Sequence, residues 1–133
     1  MNLILCVEKN GGMAFNLRRV SQDKVVIQKI AQITEEKELY AKAYSASLFS
    51  EIREIKVIQD FSALNSGDFC FLEIDPIPNC EIEKIFLFSW NRNYPADLFF
   101  DWNLKDYKKI KKEHFEGNSH KKITLEVYEK VAK

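Results

Sequence analysis

Leu3-Ile4-Leu5-Cys6-Val7 is an unbroken apolar run that stops at Asn10-Gly11-Gly12. It is too short for a buried helix and suits a strand covered on both faces, as in the middle of a parallel sheet. Downstream, Val26, Ile30 and Ile33 fall at helical spacing, with Ser21 placed to cap the helix and Asp23 in its first turn. Leu39-Tyr40-Ala41 and Ile55-Lys56-Val57-Ile58 read as short strands, and Ser45 as the start of a short helix through Leu48 and Phe49. Phe69-Cys70-Phe71-Leu72-Glu73-Ile74 and Ile85-Phe86-Leu87-Phe88 read as interior strands joined through the turn Pro76-Ile77-Pro78-Asn79. Tyr107, Ile110 and His114 mark a helix face, whereas Ile123, Leu125 and Val127 alternate as a half-buried strand does. The order predicts an α/β fold: a mixed, mostly parallel sheet with helices flanking its faces, in one domain over residues 1–133.

The 133 residues are 46% hydrophobic and 30% charged, with three prolines and four glycines, a globular composition without linker or repeat. Twenty basic residues balance twenty acidic ones, so no overall field favours nucleic acid or an anionic membrane. The charge is uneven: residues 105–133 hold nine Lys against five acidic residues, net +4, leaving −4 for the rest. That lysine strip is the only feature that favours RNA contact. No apolar run approaches the ~20 residues that span a bilayer. The odd number of cysteines (Cys6, Cys70, Cys80) fits neither a disulfide framework nor a zinc cage, so a reducing, cytoplasmic setting is expected. His114 and His120 lack neighbours at ligand spacing, which argues against a metal site. Neither a G-x-S-x-G elbow nor a phosphate loop is present.

Ligands of open α/β sheets bind outside the carboxyl ends of the strands. The segments following the first strand (Asn10 to Val20) and the Phe86 strand (Trp90 to Pro95) are therefore the places for a site. They hold Arg18, Arg19 and Arg92, three of only four arginines, and Arg suits bidentate recognition of anions. The same arginines would equally serve as loop charges paired with Asp23 and Asp97. Asp23 has two readings: a buried carboxyl with raised pKa that bonds a heterocycle or supplies a proton, or a favourable charge at a helix start. Trp90, Asn91, Arg92 and Tyr94 form an aromatic and polar wall for a flat ligand, or close one end of the core.

The opening Leu3 to Asn16 resembles the first strand and mobile loop of the dihydrofolate reductases. Asp23 falls close to that family's pterin-binding acid. Glu83-Lys84-Ile85-Phe86-Leu87 resembles the sixth strand, Asp97-Leu98-Phe99-Phe100 the Asp-x-x-Phe that follows, and Asn118-Ser119-His120 with Ile123 to Glu129 the final hairpin. The resemblance implies a dihydrofolate reductase-like fold and NADPH-dependent reduction of a heterocycle, with Asp97 and Ser119 positioning the mobile loop. Asn16, Arg18 and Arg19 would join Trp90, Asn91, Arg92 and Tyr94 in binding the ligand. The middle departs from the family. Tyr40-Ala41-Lys42-Ala43-Tyr44-Ser45 stands where Gly-Arg-x-Thr binds nucleotide phosphates, and Glu73-Ile74-Asp75 where a two-glycine turn is expected. The cofactor is therefore left open, and a non-catalytic binding or interaction module on the same scaffold is the alternative. The chain also resembles a group of small uncharacterised bacterial proteins that share Trp90-Asn91-Arg92-x-Tyr94-Pro95 and Ser119-His120 and sometimes carry a ribonuclease Z label. A zinc ribonuclease of that type needs a His-x-His-x-Asp-His cluster, which two isolated histidines cannot supply.

Overall fold

The computed structural model describes residues 1–131. Its centre is β1 (Asn2–Val7), the opening apolar run, with β6 (Phe69–Phe71) parallel on one side and β7 (Lys84–Ser89) parallel on the other. Beyond β6 come β4 (Leu39–Ala41) and β5 (Lys56–Val57), also parallel. Beyond β7, β10 (Ile123–Lys130) and then β9 (Tyr107–Phe115) turn antiparallel, completing the order β5-β4-β6-β1-β7-β10-β9. The chain is thus an α/β structure with a mixed, mostly parallel seven-stranded sheet.

Alternation along β1 divides the core between the two faces of the sheet. Ile4 packs with Val26, Ile27 and Ile30 of α1 (Lys24–Ile33), whereas Leu3, Leu5 and Val7 pack with Met13, Phe61, Leu72 and Ile82. Burying each of the three α1 side chains contributes about 2 kcal/mol. The expectation of helices on both faces is corrected here. The second face is covered by extended chain and by two single-turn 3-10 helices, over Phe61–Ala63 and Leu104–Asp106. α2 (Ala43–Ala46) and the 3-10 turn Ser47–Phe49 send Phe49 to the α1 side.

Two element assignments also change. Ser21 does not cap α1: Asp23 occupies the N-cap with extended backbone and accepts from the Val25 N–H at 2.9 Å. At the other end, Arg53 donates to Thr34 and Lys37 carbonyls, accounting for one of the four arginines by the negative end of the helix dipole. The stretch with Tyr107, Ile110 and His114 is strand β9, not a helix. Its lysines face solvent on the outermost strand, so no apolar face needs to repeat every two residues.

The segment after β1 is a hairpin, β2 (Gly12–Phe15) and β3 (Arg18–Arg19), which forms a small second sheet with β8 (Leu98–Phe99). Buried Glu8 fixes its start by accepting from the N–H groups of Asn10 and Gly12. Asn16 and Leu17 make the two-residue turn with φ of 52° and 62°, a left-handed pair that matches strand twist but strains the leucine. No helix among the described residues is long and apolar enough to cross a membrane.

Candidate functional site

Asp23, the cap of α1, is 2% exposed and meets the turn between β9 and β10. Its Oδ1 accepts from the Asn118 N–H at 2.8 Å, and its Oδ2 from the Ser119 N–H at 2.8 Å and the His120 N–H at 3.2 Å. Gly117 permits this approach, because a Cβ there would lie 2.5 Å from Asp23 Oδ2. Burial alone would raise the Asp23 carboxyl. The Asn118 N–H, the His120 ring and the N–H groups of Ser119 and Val25 outweigh it and hold the carboxyl well below its ordinary value. The raised pKa that would suit Asp23 to proton donation near neutrality is therefore not what these surroundings produce.

An ionised Asp23 can only accept, which sets the histidine tautomer. His120 Nδ1 lies 3.0 Å from Asp23 Oδ2 and so carries a proton, which in the neutral imidazole leaves Nε2 as an acceptor. Two hydroxyls face that nitrogen, Ser21 Oγ at 3.0 Å and Tyr94 OH at 3.1 Å. The imidazole is 3% exposed and stacks on Trp90, with centroids 4.6 Å apart. Sequence reading gave His120 no role and found no support for nucleophilic chemistry. Ser21 and Asp23 lie 99 and 97 positions from His120, and no local spacing signals such a meeting.

A second network lies at the carboxyl ends of β1 and β6. Arg19 grips buried Glu73 in a two-point contact, Nε to Oε2 at 2.8 Å and Nη2 to Oε1 at 3.0 Å, while Ser45 Oγ donates to Oε1 at 2.7 Å. The guanidinium also sits 4.3 Å from the centre of the Tyr44 ring. Arg19 is thus paired with Glu73 rather than Asp23. Burial and the Glu73 carboxylate push the nearby Cys6 thiol up, against a smaller opposing pull from Arg19.

Between the hairpin and the chain after β7 lies a cleft of about 310 Å³, lined by Phe15, Asn16, Arg18, Arg19, Tyr94 and Pro95 among others. It brings together four of the residues expected to bind ligand: Asn16, Arg18, Arg19 and Tyr94. The other three stand apart. Trp90 is core, 1% exposed, and its Nε1 has no partner among the described residues. Asn91, at φ 57°, clips the Lys122 carbonyl and Thr124 Oγ1, and Arg92 is exposed with its carbonyl accepting from Lys9. Asp97 receives the Asn16 N–H on both oxygens, at 3.2 and 3.1 Å, and ties the hairpin turn to β8. Ser119 serves Asp23 instead, its Oγ donating at 3.2 Å. A larger cleft of about 800 Å³ opens at the amino ends of β1 and β7, but the Met1 ammonium and Glu83, and Lys130 and Glu81, already pair there. Among the described residues no group of three or more His, Cys, Asp or Glu could hold a metal ion. No protein-family model matches this chain, and neither does any curated protein sequence.

Proposed function

We propose that this chain is a small-molecule-binding domain with dihydrofolate reductase-like architecture, and that it holds a flat anion in the hairpin cleft without a nicotinamide nucleotide. The observation that carries the reading is the convergence of Arg18 with the rings of Phe15 and Tyr94 on that cleft, which Arg19, held by Glu73, also lines. Arg18 is exposed and makes no ion pair among the described residues, so its guanidinium is available to a ligand carboxylate or phosphate. At about 310 Å³ the space lies at the lower end of ligand pockets and suits a single small ring system rather than a dinucleotide.

The architecture is supported by adjacency: β1, β7 and the β9–β10 hairpin, which carry the family resemblance, are neighbours in the sheet. The reductase reading is weakened by Glu73. Its carboxylate stands where the resemblance expects the family's glycine turn and holds Ser45, and the Arg19 that neutralises it holds Tyr44, at the stretch where the nucleotide phosphates would be bound.

Thermal unfolding with NADPH, NADP, dihydrofolate, flavin and simple aromatic carboxylates tests the reading. A ligand at a hundred times its Kd adds about 2.7 kcal/mol. The expected result is stabilisation by a small planar anion, abolished by Arg18→Gln, and none by NADPH. Stabilisation by NADPH would restore the reductase, and silence across the planar anions would end the cleft proposal.

A further inference from the structure

We infer that Ser21, His120 and Asp23 form an acyl-transfer centre, with Ser21 as nucleophile, His120 as general base and Asp23 as the carboxylate that orients the imidazole. The two distances that define such a relay are both present: Ser21 Oγ to His120 Nε2 and His120 Nδ1 to Asp23 Oδ2, each 3.0 Å. Asp23 is held by four backbone N–H groups, so it presents a fixed, ionised acceptor and dictates the tautomer in which Nε2 can take a proton. The Trp90 ring against His120 offers its π-face to the imidazolium formed during reaction.

Ser21 itself is half-buried and follows Val20 at the cleft edge, with its Oγ 3.4 Å from the Tyr94 hydroxyl that also lines the cleft. Ser21 does not itself line the cleft, so a substrate seated there reaches the nucleophile past Val20 and Tyr94. The backbone N–H of Gln22, next in sequence to the nucleophile, makes no hydrogen bond among the described residues and is available to a developing oxyanion.

The substrate class is a small carboxylic ester or thioester. Ser21 Oγ bonds to the carbonyl carbon while its proton passes to His120 Nε2. The tetrahedral adduct collapses, the bond to the leaving alcohol or thiol breaks, and that group takes the proton from His120. Water then attacks the acyl-serine, gives a proton to His120, and the acid leaves as Ser21 regains its hydrogen. No oxidant, metal or cofactor enters this balance. The assignment rests on the cleft reading only for the direction of the substrate, whose anionic end would reach Arg18.

The test uses phenylmethanesulfonyl fluoride, a small neutral probe of activated serines, read by intact-protein mass and peptide mapping, alongside hydrolysis of p-nitrophenyl acetate. A single adduct on Ser21, lost in Ser21→Ala, is expected, with esterase activity at least about 100-fold lower in that variant. Asp23→Asn, if folded by circular dichroism, should lower kcat and leave KM unchanged, the mark of a positioning residue. No adduct, an adduct on Ser119 or Tyr94, or equal hydrolysis by wild type and Ser21→Ala would overturn the assignment. Because the probe carries no charge, failure here is distinct from failure of planar anions to stabilise the protein.

Discussion

Asp23→Ala removes one buried carboxylate and with it the acceptor for three pieces of chain. The helix loses its cap, about 1 kcal/mol. The Asn118 and Ser119 N–H groups belong to exposed residues and regain water, so their loss is about 0.5 kcal/mol each. The His120 N–H and ring N–H are buried and cannot, which costs about 1 kcal/mol apiece or more. The total is about 4 kcal/mol, which for a domain of this length lowers Tm by roughly 14 °C. Urea unfolding followed by tryptophan fluorescence reads this directly, with buried Trp90 beside the lesion. The pH dependence has a definite sign. A carboxyl held low in the folded state contributes fully above its ordinary value of 3.8 and loses that contribution as pH falls below it. The gap between wild type and variant is therefore widest near neutrality and narrows in acid. A loss below about 1 kcal/mol, or a gap that stays constant down to pH 3, would refute the account of Asp23 as the hub of the network.

Arg19→Gln strands Glu73 with only Ser45 and Gln22 as donors and should cost about 2–3 kcal/mol in chemical unfolding, largely recovered by adding Glu73→Gln. Unchanged stability in the single variant would mean that water reaches Glu73. Leu17 is 76% exposed at φ 62°, so Leu17→Gly should raise stability by about 1 kcal/mol despite deleting a large side chain, and a loss of similar size would contradict the strain argument. In an Ellman titration of the native protein, half-buried Cys80 should react first and Cys70 only on unfolding, since burial raises the Cys70 thiol more. Equal rates for the two would show the core to be open.

The parallel part of the sheet was legible because strands buried on both faces must be apolar throughout. Leu3 to Val7, Phe69 to Phe71 and Ile85 to Phe88 carry that requirement in their own residues. α1 was equally plain from Val26 and Ile30. β9 was not, since a strand at the rim has no deep face and three of its bulkier residues, Tyr107, Ile110 and His114, fall at helical intervals. The site divides in the same way. Arg18, Arg19, Asn16 and Tyr94 stood out by chemistry and do share a cleft, whereas Trp90 looked like a ligand platform and is core. The meeting of Ser21, Asp23 and His120 depends on the final hairpin folding back against the start of α1. That is a property of sheet order rather than of any local pattern.

The lysines of β9 have a role that needs no partner at all. An outermost strand nine residues long leaves a row of backbone donors and acceptors unmatched, an invitation for a second copy to extend the sheet. Lys108, Lys109, Lys111 and Lys112 would be brought against their own counterparts by such edge-to-edge growth, within the ~8 Å over which charges act at physiological ionic strength. The opposite rim, β5, is guarded by being only two residues long. What reads along the chain as a basic strip thus weighs against edge-to-edge growth in the folded protein, in part offset where Glu113 and Glu126 pair with Lys109, Lys111 and Lys112, and high salt would weaken it further.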